Sequence, residues 1–304
     1  MKFVLNQKTK TETIDAVIPY VDCSDPIWLD SYNKYVGQFK NDFNNGISRY
    51  RDTGTLELVL KSIRKFAPFF NNVYLVVSSL SQVPDYVKDY DVKIIQHSDF
   101  IPKEYLPLFS SNALETWLHR LPVSENFVWF NDDTVIIKPI TIYDFFSKNN
   151  FNHLIPNNYI GIKPVSFHVD NLRLNAFNLI FNTNQNKLEY HTQHGPEPYK
   201  LSWCKEYFEK YKDKLLANYH PLGREMSDYN QYACVAFQAF MKTGKINQKQ
   251  YVITQSFGSK RKYDLLTNDY LLNTDKKIIC LNDSAILDIE PYVKIVNDYI
   301  ENYK

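Results

Sequence analysis

Cysteine is rare, with only Cys23, Cys204, Cys234 and Cys280, and no C-x-x-C pair. That excludes zinc-site spacing and a disulfide scaffold. Isolated thiols suit a reducing compartment. Long apolar runs are missing too. The opening MKFVLNQKTKTETID has too short an apolar stretch for a signal peptide, and no run approaches a membrane span, so the chain reads as cytoplasmic. Excess charge is absent: the net value is +1, which leaves no bulk attraction for nucleic acid, so an anionic partner must be held by a local cluster. Glycine numbers only 8 against 23 tyrosines and 20 phenylalanines. Rings that could stack on sugars or bases are plentiful, although most of them simply build core. Neither an internal repeat nor a low-complexity linker divides the sequence.

What is present is a globular composition: 304 residues, 44% hydrophobic and 23% charged, enough for a substantial core. IDAVIPYV (14–21) predicts a first strand, ending in the acidic turn DCSDP. In GTLELVLKSIRKFAP (54–68), Leu56, Val59, Leu60 and Ile63 recur at helical spacing, and Pro68 marks the stop. NVYLVVSS (72–79) and VKIIQHSDF (92–100) predict strands. SSNALETWLHRLP (110–122) begins on a serine and stops at proline, hence a helix. The strand FVWF follows. This alternation argues for a mostly parallel sheet flanked by helices. Beyond Asn150, loop-like stretches alternate with helical ones: DNLRLNAFNLIF, PYKLSWCKEYFEKYKDKL and SDYNQYACVAFQAFMKTG. They predict a helical insertion in the C-terminal half, ahead of a final strand, KKIICLND. The closing PYVKIVNDYIENYK reads as a helix packing on the core or a partner, with peripheral membrane association as its alternative.

FVWFNDDTVIIKP sets Asp132 and Asp133 side by side between apolar runs. Burying an unpartnered carboxylate is costly, and a divalent cation is one remedy. Oxygen ligands select Mg²⁺ or Mn²⁺, which also bridge phosphate oxygens. Asn-Asp-Asp-Thr is equally good turn chemistry without a metal. SRYRDTG spaces Arg49 and Arg51 two apart, where guanidinium forks could clamp phosphate or simply lie in solvent. EYHTQHGPEPY carries His191 and His194 in a proline-flanked loop, suited to metal binding or to proton transfer. LNDS repeats the strand-end "ND", consistent with a shared acidic centre or with an ordinary turn.

In order, IDAVIPYVDCSDPIW, SRYRDTGTLELVLKSIRKFAPFFNNVYLVV, FSSNALETWLHRLPVSENFVWFNDDTVIIKP, the stretch from EYHTQHGPEPY to MSDYNQYA, and CLND together resemble the Stealth family of sugar-1-phosphate transferases, across most of the chain. The resemblance implies a GT-A-like α/β fold. It implies one catalytic unit over 1–304, with a nucleotide-sugar-binding core (1–150), a helical acceptor-side insertion (151–270), and a final strand and helix (271–304). It also implies the reaction: a nucleotide-sugar, taken as a UDP-sugar, passes N-acetylhexosamine-1-phosphate or another hexose-1-phosphate to a hydroxyl of an oligosaccharide or lipid-linked glycan. A nucleoside monophosphate leaves. That chemistry belongs to capsule or exopolysaccharide synthesis, at the inner face of the cell membrane. The alternatives are a glycosyltransferase releasing nucleoside diphosphate, or an inactive carbohydrate-binding scaffold.

By position, the resemblance implies His194 as general base, with Asp133 and Arg51 also catalytic. Asp132, Asp133 and Asp283 would hold Mg²⁺ or Mn²⁺. Asp15, Asp25, Arg49, Asp52, Glu115, His119, Arg173, Arg224, Asp228 and Asn282 would contact substrate; a strand-start cap for Asp15 and a structural helix pair for Glu115 and His119 stand beside that reading. His191 would pack the loop. The sequence departs from the family pattern at SSLSQVP (78–84), which lacks the family's acid, at Glu57, where arginine is frequent, and at NDS in the last motif.

Overall fold

The structure, a computed structural model, describes residues 13–40, 44–146, 154–156, 168–186, 190–192, 194–243, 254–283 and 287–303. The central sheet has five strands, in spatial order β3 (Val92–Gln96), β2 (Asn72–Val77), β1 (Ile14–Pro19), β4 (Asn126–Trp129) and β8 (Glu197–Lys200). The first four are parallel, and β8 runs antiparallel to β4. A three-stranded sheet sets β10 (Ile278–Leu281) between β5 (Thr134–Ile136) and β9 (Thr254–Phe257). β6 (Leu154–Pro156) and β7 (Tyr190–Thr192) form an antiparallel pair.

Alternation along β1 explains why its segment reads as nearly continuous apolar sequence. Ile14, Ala16 and Ile18 enter one core and Val17 the other, so both faces are covered. The first core is closed by the helices Thr55–Phe66 and Glu290–Asn302, through Leu56, Val59, Leu60, Val296 and Ile300. The second is closed by His168–Phe181, Leu201–Ala217 and Gln231–Phe237. Gly54 precedes the Thr55–Phe66 helix with φ +78°, a left-handed entry for which glycine has no steric penalty. The result is the expected mostly parallel sheet flanked by helices.

β1, β2 and β3 step outward in one direction, and β4 then takes the opposite side of β1. The crevice where the order reverses lies at the carboxyl ends of β1 and β4, the place where open α/β sheets bind ligands.

Three local expectations change. The strand over 92–100 stops at Gln96, because Gln96 and Asp99 form a reciprocal capping box that starts the turn His97–Phe100. The helix over 110–122 breaks after Glu115 and resumes as a single tight turn, Leu118–Arg120. Pro198–Lys200, read as the start of a helix, belong to β8, whose register opposes Glu197 to Trp129 and Lys200 to Asn126. Among the described residues, no helix is long and apolar enough to cross a membrane.

Candidate active site

From Phe130, whose N–H donates to Val17 O at 2.8 Å, the chain leaves the central sheet and enters β5 within four residues. Asn131 and Thr134 close this crossing: Asn131 N donates to Thr134 Oγ1 at 3.1 Å, and Thr134 Oγ1 donates to Asn131 O at 2.8 Å. The turn expected of Asn-Asp-Asp-Thr therefore exists, and it is the turn that carries Asp132 and Asp133 to the crevice. β10 returns alongside. Cys280 pairs with Thr134, and Leu281 N donates to Asp133 O at 2.9 Å. The two "ND" strand ends, remote in sequence, thus meet.

Tyr50 fixes the SRYRD segment. Its ring sits 5.3 Å from Trp28, 5.4 Å from Tyr32 and 5.7 Å from Phe39 in a small aromatic core. Its carbonyl accepts from Cys23 N at 2.7 Å. With the tyrosine buried, the arginines on either side are held to definite directions. Arg51 grips Asp283 through two parallel bonds, Nε to Oδ2 and Nη2 to Oδ1, each 2.5 Å. Arg224, whose guanidinium donates to Ser111 Oγ at 2.8 Å, lies near Arg49. Burial and that neighbour lower Arg49 to about 10, while Asp133 and Asp283 oppose the shift. Arg173 pairs with Asp170 at 3.2 Å and lies 5.4 Å over the Tyr232 ring.

His194 comes to the same spot on its proline-flanked loop. Its Nε2 is 3.5 Å from Asn131 Nδ2, the outer limit of a hydrogen bond. Burial lowers its proton affinity, as do Arg173, Arg49 and Arg224, whereas Asp133 raises it; the imidazole is neutral near pH 7. Asp132 is pushed well above the carboxylate range by burial and then by the charges of Asp133 and Asp52.

Asp133 Oδ1 is buried without a hydrogen-bond partner. Ligand atoms of Asp133, His194 and Cys280 all lie within 4.8 Å of one another, so the three could hold a metal ion. A hard divalent cation fits the orphaned carboxylate oxygen and leaves the thiol aside. Asp283, expected with the Asp pair, instead directs both oxygens to Arg51.

The other expected residues take partners of their own. Asp15 is wholly buried at the far end of the sheet, where Oδ1 accepts from Asn72 N and Nδ2, and Oδ2 from Ser124 N. Asp25 caps the helix Pro26–Tyr35 and accepts from Ser81 Oγ and Gln82 Nε2, both 2.7 Å. The helix break separates Glu115 from His119. Glu115 accepts from Gln231 N at 2.9 Å near Arg224, and burial raises it to about 7. His119 stacks on Phe208, ring centres 3.8 Å apart, and burial lowers it to about 4. Asp228, 2% exposed, organises its own loop by accepting from Asn112 Nδ2 and Glu225 N and facing His220 Nδ1. Asp52 accepts from Gly54 N at 2.9 Å and from the Tyr20 hydroxyl. Asn282 engages its main chain, with N donating to Phe257 O and O accepting from Tyr263. The side chain of His191 lies outside the described residues.

Sequence reasoning passed over Cys280, Tyr20 and Tyr86. Tyr86 stands near Asp52 and Asp132, and its hydroxyl is buried without a partner. Cys280 had a signal in its place two residues before the second "ND"; the tyrosines, two among many, had none.

Residues 49–154 match the family described as Stealth protein CR2, conserved region 2. The capsular polysaccharide phosphotransferase WcwK of Streptococcus pneumoniae is 26% identical, over 96% of each chain. A second WcwK of that species is 31% identical over 65% of this chain and 69% of its own. The receptor polysaccharide phosphotransferase WefC of Streptococcus oralis is 36% identical over 50% of this chain, a match spanning 46% of that protein. Among solved structures, the glycosyltransferase GlyE of Streptococcus pneumoniae TIGR4 superposes with a TM-score of 0.43 and 10% identity, over 95% of this chain and 64% of GlyE. At that distance the likeness says nothing about chemistry.

Proposed function

The chain belongs to the Stealth family, and from that premise we propose that it is a sugar-1-phosphate transferase of surface-polysaccharide synthesis. A nucleotide-sugar, a UDP-sugar in the simplest case, is the donor, and a hydroxyl of an oligosaccharide or lipid-linked glycan is the acceptor. The acceptor oxygen forms a bond to the sugar-linked phosphorus as the bond between the two phosphates breaks. The nucleoside monophosphate departs with that electron pair, and the hydroxyl proton passes to His194.

One observation carries this reading: ligand atoms of Asp133 and His194 lie within 4.8 Å of one another, beside a buried Asp133 oxygen without a partner, and the charges of Arg49 and Arg224 bear on the same histidine. Phosphoryl transfer has little covalent work for a protein beyond orientation and charge stabilisation. Arg49 and Arg224 are suited to grip non-bridging oxygens, and Arg51, anchored on Asp283, to hold the donor's flank. His194, neutral and weakly engaged at Nε2, is suited to accept a proton there. Asp132 and Asp133 would hold Mg²⁺ or Mn²⁺, which when bound neutralises charge on the phosphate oxygens.

Incubation of the purified chain with UDP-sugars, a glycan acceptor and Mg²⁺, followed by identification of the released nucleotide, tests the reaction. UMP is the expected product. Stoichiometric UDP would replace this reading with that of a glycosyltransferase attacking the anomeric carbon.

A further inference from the structure

The main chain of Arg224 is gripped by a side chain remote in sequence. Asn45 Oδ1 accepts from Arg224 N at 2.7 Å, and Asn45 Nδ2 donates to Arg224 O at 3.2 Å. One amide thereby satisfies both backbone groups of one residue, as a neighbouring strand would. Asn45 is only 6% exposed, so competition from water is weak. Gly223 lies directly against it: a Cβ there would come within 3.1 Å of Asn45 Oδ1. Asn45 also belongs to the segment that continues into Arg49 and Arg51, so the grip ties that segment to the Arg224 loop.

The tie has an electrostatic purpose. Arg49 and Arg224 are close enough to disfavour one another's charge. Two guanidiniums on free surface segments would move apart. Leu222 and Met226, on either side of Arg224, are 40% and 44% exposed, so little apolar packing holds this stretch. We propose that Asn45 is a positioning residue that preassembles Arg49 and Arg224 into a paired guanidinium subsite for the two phosphate groups of a diphosphate. The proposal rests on the phosphate-transfer reading above and deepens it. The enthalpic cost of bringing like charges together is met during folding, so less is lost when the anion arrives.

Titration calorimetry with inorganic pyrophosphate in EDTA tests the subsite without any metal or turnover. Asn45→Ala should weaken pyrophosphate about tenfold, the ratio that two net hydrogen bonds of ordinary strength sustain. Its melting temperature should fall by only a few degrees, as the loss of two ordinary hydrogen bonds entails in a chain this long, so pyrophosphate affinity of the folded variant is the readout that a merely structural role would not move. Gly223→Ala reaches the same contact from the other side. It should weaken binding less, and should add nothing in the Asn45→Ala background. Should Asn45→Ala fail to fold, Gly223→Ala decides alone. If the wild type binds and Arg224→Ala loses binding while Asn45→Ala and Gly223→Ala do not, the positioning role is overturned and the phosphate site survives. If the wild type ignores pyrophosphate, the phosphate reading of the site falls, and the subsite with it.

Discussion

Asp15 lies on β1 at one end of the central sheet and Asp133 just beyond its opposite end, in the crossing from β4 to β5, and they face opposite situations. Asp15 is wholly buried, yet its two oxygens accept three hydrogen bonds from Asn72 and Ser124. Asp133 leaves one buried oxygen without a partner while Asp132, Arg49 and His194 crowd around it. A satisfied carboxylate contributes to the fold; a frustrated one in a charged crevice is what a ligand would satisfy, the role proposed for Asp133. The difference lies in the partners, not in the residue type or the depth of burial.

The contrast breaks most visibly if Asp133→Asn remains active. The expected loss of turnover is about 10³-fold or more, with folding unchanged or slightly improved, since an orphaned charge is removed. Rate assays beside thermal melts would measure both. His194→Ala should follow with about 10² or more, confined to turnover and sparing donor affinity in a binding titration. At the other end the expectation inverts. Asp15→Asn turns an amide against N–H donors and should cost about 3 kcal/mol in urea unfolding, with normal turnover per folded molecule.

Glu115 sharpens the comparison through pH. Its folded value is about 7 against an ordinary 4.5. Below about pH 4.5 both folded and unfolded chains hold the proton and nothing is lost. As pH rises towards 7 the unfolded chain ionises first, so stability drains away, and the loss is complete above that value. Each pH unit corresponds to about 1.36 kcal/mol, and the Gln231 bond limits the relief from neutralising the side chain. Glu115→Gln should therefore exceed the wild type by about 2 kcal/mol near pH 8 and match it near pH 4, in urea titrations at both.

The parallel core was legible because β1, β2 and β4 are buried on both faces, which forces near-continuous apolar sequence. β8 was not legible: two of its four residues are Pro198 and Tyr199, and its identity as a strand comes from pairing with β4, a contact no local pattern encodes. Asp132, Asp133, Arg49 and His194 could be singled out by chemistry and resemblance together. Asp15 could not be told from them, because its partners Asn72 and Ser124 arrive only through folding. Likewise SSLSQVP reads as the loss of an acid, yet Gln82 in that stretch both donates to and accepts from the Asp22 main chain while also donating to Asp25. An amide there braces the strand-end turn from two sides.

The crossing from β4 to β5 has a consequence for biosynthesis. Among the described residues β5 pairs with β10, and Arg51 meets Asp283 across a sequence separation of 232, so neither contact can form before that later segment has been made. A nascent polypeptide can therefore expose Asp132 and Asp133 before Cys280 and Asp283 exist to stand beside them. On the proposed reaction, competence is thus a late event in the life of each molecule, since a chain cut short before Asp283 would lack the grip on Arg51.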